Sequence, residues 1–124
     1  MRLLVAASAL ILIALPGTAS RRDPVPAATP AGKPVDCLRL ADIRETRVRD
    51  GRTIDFITRG KRVYRNTLDA GACPDLAFEE RFAYKTHTGQ LCSVDIITVL
   101  QGSGIAAGAS CGLGKFQPVT LAAH

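Results

Sequence analysis

Residues 43–66, IRETRVRDGRTIDFITRGKRVYRN, decide the fold. Asp50-Gly51 is a two-residue hairpin signal, because glycine accepts the positive φ that a type I′ turn demands. The flanks, residues 43–49 and 52–58, are rich in β-branched residues and arginine. Arg59-Gly60-Lys61 forms a second turn signal and leads into Arg62-Val63-Tyr64-Arg65-Asn66. Ile54 and Phe56 fall on one face of the middle segment, with Asp55 and Ile57 on the other. Three meandering antiparallel strands are the simplest account.

Downstream, Cys73-Pro74 marks a break, and residues 75–81 are long enough for one helical turn or a loop. Residues 81–87 alternate, with Phe82, Tyr84 and Thr86 on one side and Arg81, Ala83, Lys85 and His87 on the other. Residues 91–100 form the most apolar run after the first twenty residues. They read as one central strand, with Cys92, Val94, Ile96 and Leu100 sharing a face. A Gly/Ala/Ser loop over 102–110 follows, then a short strand around Lys115-Phe116-Gln117, which Pro118 confines to an edge.

Upstream, Arg2 and the uncharged run 3–15 precede Pro16-Gly17, and Gly17-Thr18-Ala19 supplies small residues at a cleavage point. This pattern is that of a secretory signal peptide, residues 1–19, and is too short for a membrane-spanning helix. Cleavage after Ala19 leaves 105 of the 124 residues, one small domain with no membrane span, working in the periplasm or secreted. Residues 20–36 carry Pro24, Pro26, Pro30 and Pro34, which exclude a helix or a paired central strand and suggest a flexible spacer. The domain is expected over 37–120.

An exported chain directs its cysteines toward disulfides. Cys37, Cys73, Cys92 and Cys111 allow three pairings, of which Cys37–Cys73 and Cys92–Cys111 are expected. The first would close the meander and the second would fasten the glycine-rich loop. So small a domain buries only about 60–65% of its unfolded surface, so two bridges of about 2–4 kcal/mol each matter to its persistence.

Charge is distributed unevenly. Residues 37–66 hold nine basic and four acidic side chains, whereas residues from Asp69 onward hold three basic and five acidic ones. The arginine-rich meander therefore suggests a contact face at Arg44, Arg47, Arg49, Arg62 and Arg65, suited to an anionic envelope component or an acidic protein. The competing reading is a solvated sheet face. Phe56 and Tyr64 add stacking surface, but export argues against nucleic acid.

Chemistry-bearing motifs are weak. Gly102-Ser103-Gly104-Ile105-Ala106-Ala107 fits a dinucleotide-binding pattern, yet no acidic residue follows Asp95, and Cys111 interrupts the required helix. No C-x-x-C pair is present, so neither zinc nor a redox dithiol is indicated, and no cofactor is expected. His87, Asp95 and Ser93 or Ser110 assemble into a triad only on paper, and Glu79 and Glu80 read as a solvated loop end.

The ordered series Ile54-Asp55-Phe56, Tyr64-Arg65-Asn66-Thr67-Leu68, Cys73-Pro74-Asp75-Leu76, Phe82-Ala83-Tyr84, Leu91-Cys92-Ser93-Val94-Asp95-Ile96-Ile97 and Cys111-Gly112-Leu113-Gly114-Lys115-Phe116 resembles a family of small exported proteins of Gram-negative bacteria, defined as a domain of unknown function. The resemblance spans residues 37–119. It implies export and a compact cysteine-bearing domain, and it brings no activity, cofactor or catalytic residue.

The combined expectation is a mostly β, antiparallel domain held by two disulfides, acting as a non-enzymatic binding or structural module of the cell envelope. The alternatives are a small secreted hydrolase or thiol-active enzyme, and a secreted enzyme inhibitor that presents the 102–110 loop.

Overall fold

A computed structural model describes residues 9–13, 25–86 and 88–122. The signal-peptide reading of residues 1–19 falls mostly outside them, as do its cleavage point and both histidines, His87 and His124. The domain is mostly β and antiparallel. In chain order its elements are β1 (Ala28–Pro30), β2 (Cys37–Arg39), β3 (Ile43–Val48), β4 (Thr53–Thr58), β5 (Val63–Thr67), α1 (Leu76–Glu79), β6 (Phe82–Tyr84), β7 (Gln90–Cys92), β8 (Ile96–Gln101), β9 (Ala106–Gly112) and β10 (Phe116–Leu121). They form a five-stranded sheet ordered β1-β10-β5-β4-β3, a three-stranded sheet β6-β8-β9 and a two-stranded ribbon β2-β7.

The meander stands as β3-β4-β5, with Asp55 registered between Arg47 and Arg65. Its first turn is built differently from the expected type I′. Gly51 is not among the residues with positive φ. The Asp50 carboxylate instead accepts the amides of Arg52 (2.8 Å) and Thr53 (2.7 Å), so the aspartate side chain shapes the turn. At the second turn Gly60 (φ 77°) and Lys61 (φ 62°) both adopt left-handed backbone.

The core collects the inward faces of all three sheets and α1. Ile54, Phe56, Leu76, Leu91, Ile97, Val99 and Phe116 are fully buried there. Phe56 joins the sheets, meeting Phe116 edge-on at 5.3 Å within its own sheet and Phe82 at 6.4 Å across the core. Full burial of such a ring contributes about 2–3 kcal/mol.

Three expectations about the later strands change. Residues 91–100 are two strands, not one. Asp95 folds back so that its carboxylate takes the Cys92 amide (2.7 Å), making a turn between β7 and β8. The turn shifts the alternation, so Ile97 and Val99 face the core while Val94 and Ile96 are exposed. The second change concerns residues 102–110, of which only 102–105 form a turn, while the rest begin β9. Arg81 donates to the carbonyls of Gly102 (2.6 Å) and Gly104 (3.1 Å), and Glu79 accepts the Gly102 amide, which pins this turn.

Thirdly, β10 is not an edge strand, because β1 covers it. Pro118 is tolerated since its missing N–H lies on the β1 side, where its carbonyl accepts the Ala31 amide (2.9 Å) and β1 is already ending. The proline-rich segment thus contributes a short outer strand at Ala28–Pro30, and Val35 forms a further bridge to Phe116.

The disulfides are Cys37–Cys92 and Cys73–Cys111, which corrects the expected Cys37–Cys73 and Cys92–Cys111. Cys37 and Cys92 sit opposite each other in the β2-β7 ribbon, with Cα atoms 4.0 Å apart. β2 pairs with a distant strand instead of closing the meander, and that leaves Cys73, in the loop before α1, facing Cys111 on β9.

Candidate anion-binding cleft

The β3-β4-β5 meander and its turns carry the arginines expected to form a contact surface, and the structure divides them between its outer face and the second turn. Asp55 is fully buried on that face. Arg49 Nε donates to its Oδ2 (2.8 Å), while Arg65 donates Nε to Oδ1 (2.8 Å) and Nη2 to Oδ2 (3.1 Å). Arg65 Nη1 also reaches the Pro26 carbonyl (2.9 Å), drawing the buried Pro26 segment onto the sheet. Both guanidinium side chains are nearly buried, at 17% and 15% exposure. A buried carboxylate requires such partners, so Arg49 and Arg65 compensate Asp55 before they can serve a ligand.

Arg47 is exposed and bonded to Glu45 at 2.7 Å. That hydrogen bond holds the Glu45 carboxyl below its ordinary value and raises Arg47. Arg44 occupies the irregular position between Ile43 and Glu45 in the β3-β4 register and points into solvent. Arg65 lines one concavity, with Lys115 and Gln117, but its guanidinium is committed to Asp55, whereas Arg62 lines another beside β2.

That concavity is a cleft of about 320 Å³ lined by Leu38, Arg39, Asp42, Thr58, Arg59, Arg62 and Tyr64. It is built where β2 and the turn after it meet the β4-β5 connection. Thr58 donates both its amide (2.8 Å) and its hydroxyl (3.2 Å) to the Arg62 carbonyl, which clamps the turn bearing Arg59 and Arg62. Arg59 Nε donates to the Ala41 carbonyl (3.1 Å), tying that turn to the neighbouring segment. Arg39 lies 3.5 Å from Asp42, an exposed pair that holds its geometry weakly. Arg62 makes no side-chain hydrogen bond or ion pair to a described residue. Three guanidiniums against one carboxylate leave the cleft cationic beside a tyrosine ring. In the sequence Arg39 is one member of a charged run and Arg59 part of a turn signal, and nothing in their spacing shows that β2 and the second turn meet.

The other chemical candidates disperse. Asp95 is committed to its own turn, and Ser93 Oγ lies 3.4 Å from Asp36. All four cysteines are paired, so no free thiol is present. Asn66, fully buried, mimics a backbone partner: its Nδ2 donates to the Gly114 carbonyl (2.7 Å) and its Oδ1 accepts the Gly114 amide (2.9 Å). Among the described residues no cluster of His, Cys, Asp and Glu is suited to a metal ion, and no helix is long and apolar enough to cross a membrane. A scan against protein-family models, a search of curated proteins and a search of solved structures each returned no match, so the fold and the cleft themselves carry the functional reading.

Proposed function

We propose that this is an exported, non-enzymatic binding module of the cell envelope that holds an anionic partner in the Arg39–Arg59–Arg62 cleft. The observation that supports it is the convergence of three arginines on one concave site with Asp42 as its lining carboxylate. Guanidinium groups present paired donors matched to phosphate or carboxylate, and Tyr64 adds an amphipathic wall. Two disulfides fit an oxidising compartment, and periplasmic or secreted residence agrees with the leader pattern in the sequence.

Retention on immobilised lipopolysaccharide at about 0.15 M salt, where screening reaches about 8 Å, tests the reading. Replacing Arg39, Arg59 and Arg62 by Glu is expected to weaken retention at least about tenfold, since like charges would then face the ligand. Replacing Arg44, Arg47 and Lys115 by Glu gives the same change in net charge away from the cleft and is expected to retain most binding. Equal losses in the two variants would mean unspecific charge attraction and overturn the cleft as the site.

A further inference from the structure

The sheet edges differ in how they resist further pairing. β3 ends the five-stranded sheet with Arg44, Glu45 and Arg47 and an irregular register. β1, at the opposite edge, has three residues and ends in proline. β6 also has three residues and is flanked by Arg81 and Lys85. Charge, proline, shortness and bulges are the devices that keep sheet edges from pairing with other chains. β9 has seven residues and neither charge nor proline, and the whole stretch 96–114 contains no charged side chain.

The open groups on β9 follow from the register. The Leu100 amide donates to Arg81, so Leu100 and Thr98 direct their backbone groups toward β6. Their partners on the other side, Ala107 and Ser110, therefore turn their own amides and carbonyls outward, away from β8. Thr98 and Ser110 hydroxyls approach to 3.1 Å, as the closer side chains of such a pair should. Farther along, the Asp69 amide caps the Gly112 carbonyl, but no described backbone group caps Ala107 or Ser110.

We propose that the protein forms a two-fold dimer by antiparallel pairing of β9 with β9 of a second copy. An axis passing between Gly108 and Ala109 sets Ala107 opposite Ser110 of the second copy, and the reverse, so both open positions on each chain are satisfied. The register shift between Thr98 and Leu100 bends this edge. Symmetry makes the two bends coincide, whereas a straight foreign strand would meet a bent one. The chain carries a formal net charge of +5, and β9 lies in a neutral stretch where a second copy adds no like-charge contact along the seam. Pairing would also join the two outer faces bearing Ile96 and Leu100, beside the exposed Ile105.

Sedimentation velocity across a concentration series of the oxidised protein tests this. The parent is expected to pass reversibly from monomer to dimer. Ala107→Pro deletes one outward amide and is expected to raise the dissociation constant at least about tenfold. The pair Ile105→Lys with Ala107→Lys guards the edge with charge and gives the same loss without a backbone change. Thr46→Lys on β3 leaves association unchanged. Circular dichroism and intact mass confirm the fold and both bridges in each variant. A parent that stays monomeric up to about 1 mM, or a dimer indifferent to both β9 variants, would overturn the proposal.

Discussion

Replacing Asp55 by asparagine separates structural arginines from available ones. Asp55 has no exposed surface, and three hydrogen bonds from Arg49 and Arg65 end on its two oxygens. Asparagine keeps the size of the side chain but withdraws the charge and turns an amide donor toward guanidinium donors. Breaking one partner of a buried ion pair costs about 3–5 kcal/mol. Both guanidiniums retain about a sixth of their surface in water, so the lower end, about 3 kcal/mol, applies. Urea unfolding reads this directly: with a slope of about 1–1.5 kcal/mol/M, the midpoint falls by about 2–3 M. Exchanging the whole group, Arg49→Met with Asp55→Leu and Arg65→Met, is expected to leave stability within about 1 kcal/mol, because desolvation of the charges is then avoided. A shift below about 0.5 M for Asp55→Asn would refute the reasoning. It would also return Arg49 and Arg65 to the pool of ligand contacts.

Three further perturbations follow from the same geometry. Asn66→Ala strands the amide and carbonyl of Gly114 and is expected to cost about 2–4 kcal/mol in urea unfolding, whereas surface changes such as Arg62→Ala stay within about 0.5 kcal/mol. Gly114→Ala would drive a Cβ into the Thr67 carbonyl, so a lowered melting temperature of several degrees is expected by calorimetry, with the Asn66 clamp opened. Removing the Cys73–Cys111 bridge by paired serine substitution releases a separation of 38 residues and is expected to cost about 4 kcal/mol, measured as the denaturation difference from the parent.

The meander was legible because its signals are local. Turn residues and β-branched alternation place β3, β4 and β5 nearly where they lie, with Ile54 and Phe56 on one shared face, which the structure shows to be the core side. Phe82 and Tyr84 were legible for the same reason. What failed was non-local. Nothing in the sequence near Leu91 shows that the Asp95 carboxylate will return to the Cys92 amide, yet that bond breaks an apolar run in two and reverses its inward face. Ala106–Gly112 lacks β-branched residues and reads as loop, but the β8 ladder supplies what intrinsic preference does not. Pro118 points to an edge through a rule about missing donors, and the rule holds. The sequence does not carry which side of the strand the missing donor faces, and in the fold it faces the end of β1. The cleft was half legible, since Arg62 could be named but its neighbours arrive from β2 and from the turn between β4 and β5.

The two bridges interleave along the chain, Cys37 with Cys92 and Cys73 with Cys111. A chain emerging amino end first into an oxidising compartment presents Cys37 and Cys73 together before either native partner has appeared. Oxidation in order of emergence therefore makes a bond that the finished fold does not contain. Thiol–disulfide exchange must then undo it, through thiolate attack and a mixed-disulfide intermediate. For a chain that meets oxidant in this order, the yield of the native pairing is expected to follow the supply of isomerase as well as of oxidant.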